Sequence, residues 1–177
     1  MRITNFEATG FGRVIVWIDR NKDIAINEVS LIQVLKSINI SFVLEDIDRV
    51  QSTLICELRD SYVQQSQRYV TMSKGAYIMP VLDHNDGMKA AELTEKAFDL
   101  YGRMSLLKEG DFKGRPRTEH YVHGIPIEDA RYILPLSTKT NVCVAMSGDK
   151  LLEFFRLMND RKYGTMFTSL CKELMSH

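Results

Sequence analysis

Along the chain, apolar residues fall into short runs and helix-spaced sets separated by polar breaks. Val14, Ile15, Val16, Trp17 and Ile18 form the first run, within Gly12 to Asp19. It is rich in β-branched residues and too short for a helix of its own, so it reads as a buried strand. Beyond the polar break Asn21-Lys22-Asp23, Asn27 is placed to cap a helix with the apolar set Leu31, Val34, Leu35 and Ile38. Ile40 to Ile47 has the clearest period of two, with Ile40, Phe42 and Leu44 on one face and Ser41, Val43 and Glu45 on the other. Asp46 or Asp48 then caps a helix whose apolar positions are Val50, Leu54, Ile55 and Leu58.

The second half follows the same grammar. Ala76 to Val81 reads as an edge strand, because Pro80 has no N–H to give a central ladder. Asp83 to Gly87 reads as a turn. From Asp86 a long amphipathic helix carries Leu93, Ala97, Leu100, Met104 and Leu107 as a packing stripe, pairs Glu92 with Lys96, and stops at Gly110. Pro126 starts a short helix, Ile127 to Ile133, that Pro135 ends. Thr138 to Met146 reads as a strand with Val142, Val144 and Met146 on its inner face. Ser147 is set to cap a helix carrying Leu151, Leu152, Phe154, Phe155 and Met158, and Tyr163, Phe167, Leu170 and Leu174 suggest one more.

One stretch fits none of these patterns. Ser61-Tyr62-Val63-Gln64-Gln65-Ser66-Gln67-Arg68-Tyr69 has a single wholly apolar side chain, Val63. A helix cannot hide such a surface and an extended arm has no apolar face to bury, so it reads as a loop or open arm presenting hydrogen-bond donors. Phe112 to Gly124 is a second polar excursion, with Lys113, Arg115, Arg117 and two histidines. It suits either a phosphate or nucleic-acid backbone or plain solvation. Arg131 lies beside Ala130, Tyr132 and Ile133, so its guanidinium must reach water or an anion.

Charge and composition narrow the partners. Lys plus Arg and Asp plus Glu both total 23, so no global field draws in nucleic acid or membrane, and an anion must be caught by local charge. The 177 residues, 45% hydrophobic, are enough for one domain over 1–177 with helical parts near 86–110 and 147–177. Cys56, Cys143 and Cys171 lie among apolar residues without CxxC spacing, which points to reduced structural thiols and a cytoplasmic setting. His120 and His123 lack ligand-spaced partners, so no metal site is expected. No run has spanning length.

The order of pieces resembles flavin-dependent thymidylate synthase. The resemblance covers about Ile40 to the C-terminus, and its strongest blocks are Ser61 to Val70 and Ala130 to Leu136. It implies an α+β fold with a mixed sheet packed with long helices, assembled as a homotetramer that binds FAD between subunits. It also implies methylation of dUMP to dTMP with methylenetetrahydrofolate as carbon donor and NADPH as reductant. Ser66, Arg68 and Arg131 would hold the phosphate of this pyrimidine nucleotide, with Thr53, Gln64, Gln65 and Gln67 beside it. Arg59, Ser61, Gln64, Ser147 and Lys150 would face the cofactor.

Several positions depart from the family's pattern. Cys56-Glu57-Leu58 stands where Arg-His-Arg is usual, Ser147-Gly148-Asp149 where Asn-Ala-Arg is, Glu153 replaces an asparagine, and Met158 an arginine thought to orient the uracil. A pyrophosphate needs cations or helix-terminal amides, and these changes remove positive charge while adding negative. The first reading is therefore a divergent synthase. The second is a relative that binds a pyrimidine nucleotide or another phosphate ligand without flavin chemistry.

Overall fold

The computed structural model describes residues 1–21, 27–57, 61–158, 169 and 172–176, without the side chains of Ser61 and Met158. The chain divides into two compact units, Met1–Gln64 with Thr140–His177, and Gln65–Lys139.

The first unit is a four-stranded sheet in the order β1-β2-β4-β3, formed by β1 (Arg2–Thr9), β2 (Asn39–Ile47), β3 (Ser61–Gln64) and β4 (Thr140–Ser147). Every pairing is antiparallel, so the expected α+β class holds with a sheet that is antiparallel rather than mixed. Period-two alternation on the central strands makes one face of the sheet. Ile40, Phe42 and Leu44 of β2 and Val142, Val144 and Met146 of β4 are buried, as the pattern required. Helices α1 (Phe11–Arg20), α2 (Glu28–Leu35), α3 (Arg49–Glu57) and α6 (Gly148–Met158) accompany the sheet. Val14, Leu54, Ile55, Phe154 and Leu174 complete the core.

The strand expected at Gly12 to Asp19 is a helix instead, α1, and the strand before it is β1. Gly10 makes the turn between them: its φ of 93 is left-handed and a Cβ there would lie 2.1 Å from the Ser37 carbonyl oxygen, so only glycine fits. Val14 to Ile18 leave the outer edge of β1 unpaired and satisfy their amides within a helix instead. Only Val14 is buried, while Ile15 and Val16 are exposed.

The helix starts largely follow the sequence. Asn27 accepts a hydrogen bond from Ser30 N at 2.8 Å and caps α2. Asp48, not Asp46, opens α3: its Oδ1 accepts from Gln51 N at 2.7 Å, and its own N–H donates to Gln51 Oε1 at 3.1 Å, a reciprocal capping box. Ser147 does not cap α6. Its hydroxyl donates to Asp149 Oδ1 at 2.5 Å, because Ser147 is still the last residue of β4. Gly148 begins α6 against the end of α2. Its N–H donates to Ile38 O at 3.0 Å, and a Cβ there would lie 2.7 Å from Leu35 O. Cys143 is exposed rather than set among apolar groups, since it occupies the outward phase of β4. Leu58, Cys171 and the proposed helix positions Tyr163, Phe167 and Leu170 lie outside the described residues.

The second unit is organised by α4 (His84–Met104). The sequence places a turn at Asp83 to Gly87, but Asp83 accepts from Asn85 N and Asp86 N and the helix starts at once. It also ends before Gly110: Ser105 donates its hydroxyl to Tyr101 O, and Leu106 to Lys108 pair with His120 to Val122. Its buried face is Thr94, Phe98 and Tyr101, one position away from the expected stripe, and Leu93 is exposed. The Glu92–Lys96 pair is present at 2.6 Å. Ala76 to Val81 makes no strand, only a bridge from Tyr77 to Thr138, since Pro80 cannot extend it. The short helix α5 (Ile127–Ala130) follows Pro126 and tightens into a 3-10 turn over Arg131–Ile133.

Candidate functional site

The polar run is not one open arm. Its first four residues are β3, an edge strand in which Ser61 pairs with Ala145 and Gln64 with Val142. The backbone ladder, not an apolar face, holds it there, and Val63 stays 74% exposed. After Gln64 the run leaves the sheet and closes a tight turn in the second unit. Tyr69 N and Val70 N both donate to Ser66 O at 3.2 Å, and Arg68 N donates to Ser66 Oγ at 3.2 Å. Ser66 thus shapes the loop that carries Arg68. Gln65 is half-buried; Gln67 is buried with its Nε2 lacking a partner among the described residues.

Around this turn the second unit collects guanidinium groups. The Arg115 guanidinium lies 4.6 Å from the centre of the Tyr69 ring, and that of Arg68 lies 6.0 Å from the same ring. Arg115 Nη2 also donates to the Arg68 carbonyl at 3.3 Å and forms an ion pair with Glu128. Arg131 Nε donates to the Glu128 carbonyl at 3.0 Å. Arg68 and Arg131 are therefore joined through Arg115 and Glu128. Three guanidinium groups stand against one carboxylate among these contacts, leaving two positive charges to be met by a ligand or solvent. Forked donors with that excess suit a phosphate dianion.

Arg115 is the residue that sequence reasoning undervalued. The 112–124 loop is exposed along most of its length, as a solvated excursion would be, but it is also folded on itself. Phe112 stacks on His120 at 4.3 Å, Arg117 N donates to His120 Nδ1, and Lys108 Nζ donates to Glu119 O. Gly114, at φ 80, makes the reversal that presents Arg115. The available signal was a cation set between a turn glycine and Pro116.

The sites assigned to the cofactor lie in the first unit and have a different character. Gln64 Nε2 donates to Ser52 Oγ at 2.7 Å, and exposed Thr53 turns its hydroxyl to Arg49 O at 2.8 Å. Lys150 Nζ is paired with Glu153 at 2.6 Å. Burial pushes the Cys56 thiol above its ordinary range, against weaker opposing effects of the Tyr62 hydroxyl and Arg49. A neutral thiol thus stands where a cation is usual. Ser61 contributes only its backbone to the description, and Arg59 lies outside the described residues. A cavity of about 320 Å³ opens beside Ser147, lined also by Glu7, Asn39 and Ser41. Among the described residues no cluster of metal-ligating groups occurs and no helix is long and apolar enough to cross a membrane.

Fold and site together describe an α+β protein with three arginines clustered in its second unit. Residues 25–175 match the sequence model of the family described as thymidylate synthase complementing protein, and the chain belongs to that family, the flavin-dependent thymidylate synthases. It is 33% identical over 119 residues to the flavin-dependent thymidylate synthase of Saccharolobus solfataricus, covering 66% of this chain and 40% of that protein. It is 30% identical over 129 residues to that of Clostridium tetani, covering 69% and 51%. The chain thus spans about half or less of the length of these relatives. In fold it is similar to thymidylate synthase X from Helicobacter pylori, solved with FAD and dUMP, at a TM-score of 0.70 and 14% identity, covering 99% of this chain and 93% of that one.

Proposed function

We propose that the chain acts in flavin-dependent thymidylate synthesis, binding dUMP through Ser66, Arg68 and Arg131, with Gln65 and Gln67 beside them. The observation that carries this reading is the excess of two guanidinium groups around Tyr69 and Glu128, gathered within one unit next to a serine-shaped turn. Side chains with fixed, forked donors bind a phosphate dianion at close range and orient what it carries. The family reaction would then convert dUMP to dTMP in the cytoplasm, with methylenetetrahydrofolate supplying the carbon and NADPH the reducing equivalents.

FAD would supply the redox chemistry when bound. The residues described at its family positions do not fit its pyrophosphate in a single chain: Cys56 is neutral, Ser147 is committed to Asp149, and Lys150 is paired with Glu153. Charge for a flavin would have to come from Arg59 or from a second subunit of a homo-oligomer, a tetramer by family analogy. Two measurements test the proposal. Purified protein titrated with FAD should develop a visible absorbance band, and dUMP should raise its melting temperature. A colourless protein stabilised by dUMP would assign nucleotide binding without flavin chemistry; one that ignores both ligands would refute the reading.

A further inference from the structure

We propose that Arg115 is a positioning residue of the nucleotide site: it clasps the Ser66–Val70 turn to the Glu128–Arg131 segment, setting Arg68 and Arg131 as one anion-binding group. The inference rests on the dUMP reading and adds to it a residue from outside both family blocks.

The geometry is specific to a guanidinium. One Nη donates to the Arg68 carbonyl, the group is paired with the Glu128 carboxylate, and its face covers the Tyr69 ring at 4.6 Å. Glu128 is in turn fixed to Arg131 through its carbonyl. A single exposed ion pair contributes little, because two long side chains must be ordered in water. Arg115 differs in meeting three partners at once, two through Nη2 and one through the face of the guanidinium, so less freedom remains to lose when a ligand arrives. An ammonium could meet the carbonyl and the carboxylate, which Nη2 alone reaches here, but it has no planar face to lay over the Tyr69 ring. The loop that presents it is also ordered, through the Phe112–His120 stack and the pairing of Leu106 with Val122.

Two readouts on Arg115→Ala and Arg115→Lys test the clasp. In ligand-free protein, hydrogen exchange at Tyr69 N and Val70 N should accelerate in both variants, since the turn loses its tether. In calorimetric titration, dUMP should bind about tenfold more weakly to Arg115→Ala, and deoxyuridine, which lacks the phosphate, should be unaffected. Arg115→Lys should recover little of the loss despite keeping the charge. Full recovery by lysine would show that charge alone matters and overturn the proposal, as would unchanged exchange or unchanged dUMP affinity in Arg115→Ala. Failure of the wild-type protein to bind dUMP would refute the nucleotide reading and the site role with it. The exchange rates would still decide whether the tether exists.

Discussion

The two units treat charge in opposite ways. In the sheet unit the polar groups at the cofactor positions are consumed internally: Ser147 by Asp149, Lys150 by Glu153 and Gln64 by Ser52. In the α4 unit Arg115 alone is paired with the Glu128 carboxylate, and the Arg68 and Arg131 guanidinium groups meet no carboxylate among these contacts. The contrast extends to what holds each together. The sheet unit rests on a broad apolar core, whereas the buried face of α4 includes Thr94 beside Phe98 and Tyr101. An apolar core can supply stability but not ligand charge. The lesson is that binding capacity follows unspent charge rather than the number of polar residues at a site.

Four experiments press on this contrast. The largest effect is expected in the sheet unit: Phe154→Ala, at a wholly buried position, should cost about 3–5 kcal/mol in urea unfolding. A loss well under that range would deny the unit its apolar basis. Next comes Arg68→Ala, which should weaken dUMP on the order of a hundredfold or more in calorimetry, because truncating one charge of a close pair strands the other. Equal affinity in the two proteins would erase the distinction between the units. Third, Asp149→Arg should tighten FAD about tenfold in an absorbance titration, by removing an anion and restoring a cation. No change would mean that charge is not what limits the flavin.

The smallest effect concerns pH. Hydrogen bonds from Asp86 and Asn85 amides hold the Asp83 carboxyl below its ordinary value, with Asp86 the main cause. A group lowered on folding stabilises the native state above its unfolded value and loses that contribution as pH falls through the lower folded one. Asp83→Asn should therefore lower stability slightly at neutral pH and leave it unchanged in strong acid, so that the acid limb of thermal stability becomes flatter. A stability loss confined to alkaline pH would contradict the cap.

How much of this could be read from the residues depends on where each one's partners lie. β2 and β4 were legible because Ile40, Phe42 and Leu44 and Val142, Val144 and Met146 keep strict phase. β1 was not, because its pairing shifts between Thr4 and Glu7, with Asn5 at φ 52, so Ile3 and Phe6 break the period of two. Val14 to Ile18 look like a strand from their own composition, but they form a helix that buries only Val14. Within the site, Ser66, Arg68 and Arg131 stand out by residue type. Arg115 does not, since a basic loop shows its charges but not which one folds back, here onto Tyr69 more than forty residues earlier.

The start of α6 limits what can be substituted there. With glycine at 148, this backbone has settled nearer its neighbour than a methyl group would tolerate. An alanine at this position would press its methyl group against Leu35 O and Ile38, so the chain at the end of α2 would have to back away first.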